Sequence, residues 1–318
     1  MNEEINNQQS APPLRERELL PEVRAELDAP KEVRLKRVGK EVYIPTAGTE
    51  RILDKAERLI AYGGEGMLIT GPSGCSKTRT LDELEWRHPK ISALDAAPET
   101  VRIPVLRVVI PASADRRGFL GAIIHGFGFR DYESETYDER KLRAIRLLEN
   151  EQFGVELIAV DEFQHLLAGV RMEMQKTLNL LKDLQSAVNI PMILAGLSGE
   201  GKKGIDVETI LEWDPQLARR FPRYELQRMT DGKPYRNFLW RREGTFPFRF
   251  PSRLWDDEKA LYILKRSSGI RHYVVRGTGD AGRLAILDDS DCIEMEHLKK
   301  AEFTSLNRIE PSSLTLPF

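Results

Sequence analysis

The stretch Gly71-Pro72-Ser73-Gly74-Cys75-Ser76-Lys77-Thr78 restricts the fold of this chain more than any other segment. It follows a short apolar run, GMLIT at 66–70, and leads into an amphipathic one, TRTLDELEWRH at 78–88. A strand, a glycine-containing loop and a helix in that order make a phosphate-binding turn. Glycines let backbone N–H groups converge on phosphate oxygens, and the helix N-terminus adds a positive field. Lys77 would reach the β- and γ-phosphates, and the Thr78 hydroxyl would ligate Mg2+. Ser76 stands where the pattern G-x-x-x-x-G-K-[ST] has glycine. Serine fits there only if the backbone avoids a positive φ or carries its strain.

Such a loop needs a parallel sheet behind it, and the following sequence has the right alternation. Further strand runs lie at 105–110, 155–162, 190–197 and 223–226, between helical patterns at 118–129, 141–152 and 174–188. Continuous apolar strands separated by amphipathic helices predict an α/β domain with a parallel five-stranded sheet between helices. Beyond 230 the patterns are helical, in PYRNFLWRREG, DDEKALYILKRSSG and MEHLKKAEFTSLNRI, which predicts a small C-terminal helical domain. The aromatic stretch at 244–255 reads as packing for that domain rather than as a base-stacking surface. The expected divisions are an N-terminal arm at 1–40, the α/β domain at 41–228, the helical domain at 229–310 and a tail at 311–318. The arm carries a basic segment, with Lys31, Arg34, Lys36, Arg37 and Lys40 against Glu32.

Composition closes off several alternatives. Lys+Arg number 48 and Asp+Glu 50, so the net charge of −2 excludes a globally basic coat but not a local basic groove. Two cysteines, Cys75 and Cys292, exclude a disulfide scaffold or a cysteine-rich zinc module. The opening MNEEINNQQS has no apolar signal region, and no apolar run approaches the ~18 residues of a membrane span. The expectation is a cytoplasmic protein.

A second motif complements the loop. LIAVDE, Leu157 to Glu162, is an apolar strand ending in two adjacent acids. At the strand's C-terminal edge Asp161 can hold Mg2+ through water and Glu162 can polarise an attacking water. The two motifs together predict an Mg-dependent ATPase. In QLARRFPRYEL, Arg219 and Arg220 precede the fifth strand, where an arginine can reach the γ-phosphate bound by a neighbouring subunit. Arg271, between helices of the small domain, is a candidate for contacting the nucleotide.

GPSGCSKT, LIAVDE, the ILAG strand, QLARRF and the helical C-terminal region together resemble an AAA+ ATPase. VVIPASADRRGFLGAIIHGFGF and VDEFQHLLAG narrow the likeness to the TniB/TnsC family of transposition regulators, which is also similar to MuB. The resemblance covers roughly residues 41–305. It implies a P-loop AAA+ fold with a helical lid and an ATP-bound homo-oligomer, ring or filament, around duplex DNA. It further implies recruitment of a transposase, a target-site selector protein as partner, and disassembly on hydrolysis. It points to Arg116 and Arg117, with Ser113 secondary, as contacts to the DNA backbone. Phosphate contacts carry no sequence information, so binding should tolerate any sequence and fall steeply with salt. The chain departs from the family where a polar sensor follows the fourth strand, since Leu197 stands there and Ser198 is the nearest hydroxyl. This departure and Ser76 bear on hydrolysis more than on ATP binding. Two other roles remain open at this point: an initiator or helicase-loader ATPase on DNA, and a signalling NTPase switch that acts only on proteins.

Overall fold

In the computed structural model the apolar runs do pair as one parallel sheet. The residues described are 18–91, 101–112, 114–167, 171–198 and 214–304. The chain opens with helices α1 (Pro21–Arg24), α2 (Lys31–Gly39) and α3 (Ala47–Tyr62). Strand β1 (Gly66–Thr70) leads through the glycine-containing loop into α4 (Lys77–Arg87), then β2 (Val105–Val109), α5 (Arg116–Gly126) and α6 (Tyr137–Leu148). Next come β3 (Leu157–Asp161), a 3-10 turn (Phe163–Leu167), α7 (Arg171–Val188), β4 (Met192–Ala195), α8 (Pro215–Arg220) and β5 (Arg223–Glu225). Helices α9 (Lys233–Glu243), α10 (Asp257–Ser267), α11 (Arg271–Leu287) and α12 (Met295–Lys300) follow. The strand order is β2-β3-β4-β1-β5, and every pair is parallel. In the sheet β4 separates the loop strand from the acid strand, while β2, which lies between them in sequence, forms an edge.

Two compact units result. The α/β unit spans Ala47–Gln227, and the other joins residues up to Thr46 with those from Arg228 onward. In the first unit β1 and β3 are buried at every residue, as expected of strands covered on both faces. Its core runs from Leu106 and Val108 through Phe119, Ile123, Val160 and Leu181 to Leu194 and Phe221. Helix starts here are well specified. Asp115 accepts from Gly118 N at 2.8 Å to cap α5, and Thr136 and Glu139 form a reciprocal capping box on α6.

The helical unit is built on Phe238, Phe246, Phe248, Leu254, Val274 and Phe303, so the 244–255 aromatics largely pack it, as expected. Gly277 leaves the notch that the Phe303 ring fills, and a Cβ there would collide with that ring. Anchored in this notch, the chain turns extended at Ala301, which ends α12 at Lys300 and shortens the helix expected there.

The expected basic arm at 31–40 is instead helix α2, part of this unit and packed along α11. Val38 is buried, Lys31 pairs with Asp289 at 2.7 Å, Arg37 pairs with Glu26 at 2.6 Å, and Arg34 Nε donates to the Pro247 carbonyl at 3.1 Å. Acids outside the run thus pair two of its five cations, one of them from far along the chain. The boundary also moves from 40/41 to 46/47, because Ile44 is buried among the helical unit's aromatics. Residues 1–17 and the 311–318 tail lie outside the described residues.

Candidate nucleotide-binding site

The loop after β1 is set by close backbone approach. Gly71 has φ 151°, and a Cβ there would collide with the Leu226 carbonyl, while Leu226 N donates to Thr70 O at 2.8 Å. The loop is therefore pressed against the chain leaving β5 and has no room for a side chain at this point. Gly74 (φ 75°) and Ser76 (φ 79°) are both left-handed. Such alternation turns successive N–H groups toward one concavity suited to an anion. Ser76 therefore adopts the strained alternative, at about 1–2 kcal/mol relative to a relaxed backbone. Cys75 is buried and fills space.

Lys77, the first residue of α4, curls back over the loop. Its Nζ donates to the carbonyls of Gly71 at 2.7 Å and Pro72 at 2.9 Å. The ammonium thus spans the phosphate cradle, with Ser73 on the intervening loop. Ser198 N, just past β4, also donates to Gly71 O at 3.3 Å.

Asp161 brings the two motifs together. Its Oδ2 accepts from the Thr78 hydroxyl at 2.9 Å and from Arg107 Nη2 at 2.6 Å, and its Oδ1 accepts from Glu162 N at 2.9 Å. Glu162 is left-handed, φ 57°, a strained conformation of the kind that gathers at functional sites. Its carboxylate accepts from the Gln164 side-chain amide, whose Oε1 accepts from Leu197 N at 3.1 Å. One glutamine thus links the acid to the end of β4, where Leu197 has no polar side chain to offer. Neither Gln164 nor Arg107 has a marked role in the sequence motifs. The available signal for Arg107 was a cation inside the otherwise apolar VLRVV strand.

These residues fit a magnesium nucleotide. A hydroxyl and a carboxylate from different elements already meet, a lysine lies across the loop, and the loop keeps its concavity only with glycine at 71. Thr78 and Asp161 would hold the metal.

The remaining expected residues of the α/β unit are not brought to this point. Arg220 lies 3.8 Å from Glu65, just before β1, and 3.4 Å from the Gln185 side chain. That is the sheet edge opposite the phosphate loop. Arg219 beside it is exposed. Arg271 is buried in the helical unit, where it donates to the Ile44 carbonyl and lies over the Tyr43 and Phe238 rings at 5.5 and 5.3 Å. Arg116 and Arg117 open α5. Arg116 sits 3.8 Å from Glu173 and 5.0 Å over the Tyr137 ring. Arg117 Nη2 donates to the carbonyls of Glu133 and Glu135 at 3.1 and 2.6 Å. Ser113 lies outside the described residues. No helix among the described residues is long and apolar enough to cross a membrane.

Known proteins agree with this architecture. The chain is similar to Aeropyrum pernix ORC2 protein, solved in ADPNP and ADP complexes, at 18% identity and TM-score 0.57, covering 83% of this chain and 71% of that one. It is similar to Pyrobaculum aerophilum Cdc6p at 13% identity and TM-score 0.56, covering 83% and 69%. Drosophila ORC bound to DNA matches at 14% identity and TM-score 0.51, covering 94% and 69%. No curated protein sequence matches significantly. The fold is thus that of AAA+ ATPases, with the helical C-terminal region expected of them. The family described as bacterial TniB protein matches residues 34–231, well over half of the chain. On that match the chain belongs to the TniB family.

Proposed function

We propose that this protein is an ATP-hydrolysing regulator of transposition, which assembles as a homo-oligomeric ring or filament on duplex DNA, recruits a transposase with its target-site selector, and disassembles on hydrolysis. The observation that carries the ATPase part is the junction of the two motifs, Thr78 bonded to Asp161 beside a loop spanned by Lys77. Magnesium, when bound, supplies charge neutralisation of the β- and γ-phosphates. Lys77 exchanges loop carbonyls for phosphate oxygens. Glu162, held by Gln164, orients the attacking water and takes its proton. Because Arg220 and Arg219 stand at the opposite sheet edge, either serves the site of a neighbouring copy. Exposure makes Arg219 the first choice, since Arg220 must first leave Glu65 and Gln185. Arg271 acts through the packing of the helical unit rather than on phosphate.

The DNA part rests on the family match and on Arg116 and Arg117 at the start of α5. A cation at a helix N-terminus is mildly unfavourable there, which favours an anionic partner. Arg116, with a loose ion pair, is better placed to exchange it for phosphate than Arg117. The likeness to DNA-bound Drosophila ORC favours the initiator or helicase-loader role as the second reading.

One experiment tests the whole. Protein, duplex DNA and a slowly hydrolysed ATP analogue are combined, with binding followed over a salt series and particles imaged. Regular assemblies that need nucleotide, that Lys77→Ala abolishes and that retain a purified transposase are expected. DNA binding indifferent to nucleotide and to Lys77 would remove the proposal. Assemblies that retain a replicative helicase and no transposase would select the second reading.

A further inference from the structure

Arg107 is a cation in a place built for a metal. It lies in β2 opposite Ala159 of β3, two residues before Asp161, and reaches the C-terminal edge of the sheet. There its Nη2 shares Asp161 Oδ2 with the Thr78 hydroxyl, and it lies 3.6 Å from Asp82, on α4 four residues after Thr78. Its side chain is 10% exposed, and that of Asp161 5%. The Nε and Nη1 atoms of Arg107 are buried and make no hydrogen bond among the described residues.

Two physical consequences follow. A buried carboxylate without a cation is strongly unfavourable, so Asp161 needs one whether or not metal is bound. Arg107 fills that need, but in a seat that satisfies its charge and leaves part of its hydrogen-bonding fork unmet. A guanidinium held permanently is ordinarily satisfied on both edges. Asp82, with a side chain 44% exposed, offers a second carboxylate on the solvent side.

We propose that Arg107 is a resident counter-ion of Asp161, which occupies the carboxylate oxygen shared with Thr78, gives way toward Asp82 when the metal arrives, and thereby sets how much magnesium the site requires. This rests on the reading of Thr78 and Asp161 as the metal ligands. Arg107 contacts no reacting atom and acts as a positioning residue through Asp161. Removing it leaves magnesium without a competitor, and leaves the metal-free protein with an unpaired buried carboxylate.

The test uses the full chain. Binding of N-methylanthraniloyl-ADP is titrated with magnesium chloride for the wild type, Arg107→Met, Arg107→Lys and Thr78→Ala, and each is melted in chelator and in magnesium with ADP. Loss of one charge-assisted hydrogen bond predicts that Arg107→Met lowers the magnesium half-point by about tenfold or more. It also predicts a lower melting temperature than wild type in chelator, with the gap closed by magnesium and ADP. Arg107→Lys keeps the charge and stays near wild type. An unchanged half-point in Arg107→Met overturns the proposal. So does a variant unfolded in both conditions, which makes Arg107 a packing residue. If wild-type nucleotide binding ignores magnesium, or Thr78→Ala leaves its magnesium dependence intact, the metal-site reading itself fails, an outcome distinct from failure of Arg107 alone.

Discussion

Both units hold arginines largely out of water, and two of them, Arg107 and Arg242, are held in different ways. Arg107 in the α/β unit rests on a carboxylate, Asp161, at 2.6 Å. Arg242 in the helical unit is 2% exposed and, among the described residues, hydrogen-bonds to neutral oxygens, those of Thr278, Thr245 and the Val275 carbonyl at 3.2–3.3 Å, under the Phe246 ring at 4.6 Å. Burial pushes its guanidinium down to about 10, still charged at neutral pH. Hydroxyls, a carbonyl and a ring have no second use in that unit, so Arg242 serves the packing alone. On the proposed reading Asp161 has a second use as a metal ligand, which would place its arginine where chemistry occurs. The charge of Arg107 faces a carboxylate, and that of Arg242 faces the packing of its own unit.

This contrast can be broken in several places. The largest effect expected is on catalysis in the α/β unit. Glu162→Gln should slow ATP hydrolysis by about 100-fold or more while leaving nucleotide affinity within a few-fold, because only the proton acceptor is lost. Steady-state hydrolysis and nucleotide binding on the same preparation check it. Wild-type turnover would move the base elsewhere.

In the helical unit the effect should fall on stability. Arg242→Ala should cost about 3–5 kcal/mol by leaving a large cavity and orphaned acceptors. Arg242→Met, which fills much of the space without the charge, should cost far less. Denaturant melts measure both, and nucleotide affinity should follow neither. A selective loss of nucleotide affinity in Arg242→Met, with the fold intact, would end the contrast.

Smaller effects sharpen it. Ser76→Gly should stabilise the protein by about 1 kcal/mol, since glycine takes φ 79° without strain. A melt that falls instead would give the Ser76 side chain a role that the backbone does not explain. The smallest effect concerns Asp131, which supports α5 from below through His125 at 2.8 Å and Arg140 at 2.8 Å. The His125 hydrogen bond and the Arg140 charge hold its carboxyl below the ordinary 3.8. Its contribution is therefore present above that value and disappears as pH falls through the lower folded one. Asp131→Asn should cost no more than about 1 kcal/mol at neutral pH and nothing at the acid end. A cost that persists in acid would make the contact one of shape rather than charge.

Much of the α/β unit was legible beforehand for a physical reason. A parallel sheet covered on both faces leaves continuous apolar runs, and a phosphate loop needs its residues consecutive in the chain. The segments 66–78 and 157–162 contain nearly everything that their local geometry uses. Gln164, two residues past the acid pair, was in view but had no pattern to mark it. Its role depends on where Leu197 N arrives from β4.

The amino-acid order was enough for the five strands, for the loop between β1 and α4, and for an acid pair at the end of β3, because each is a local property of backbone and side chain. What it left open were the partners. Lys31 is neutralised by Asp289 and Arg37 by Glu26, so a run that resembled a basic arm is a packed helix. Arg271 lies over the Tyr43 and Phe238 rings, and Arg107 is seated on Asp161. Charge is settled by whichever groups the folded chain brings within a few ångströms. For residues 54 or 258 positions apart, that neighbourhood exists only once the strands and helices have packed.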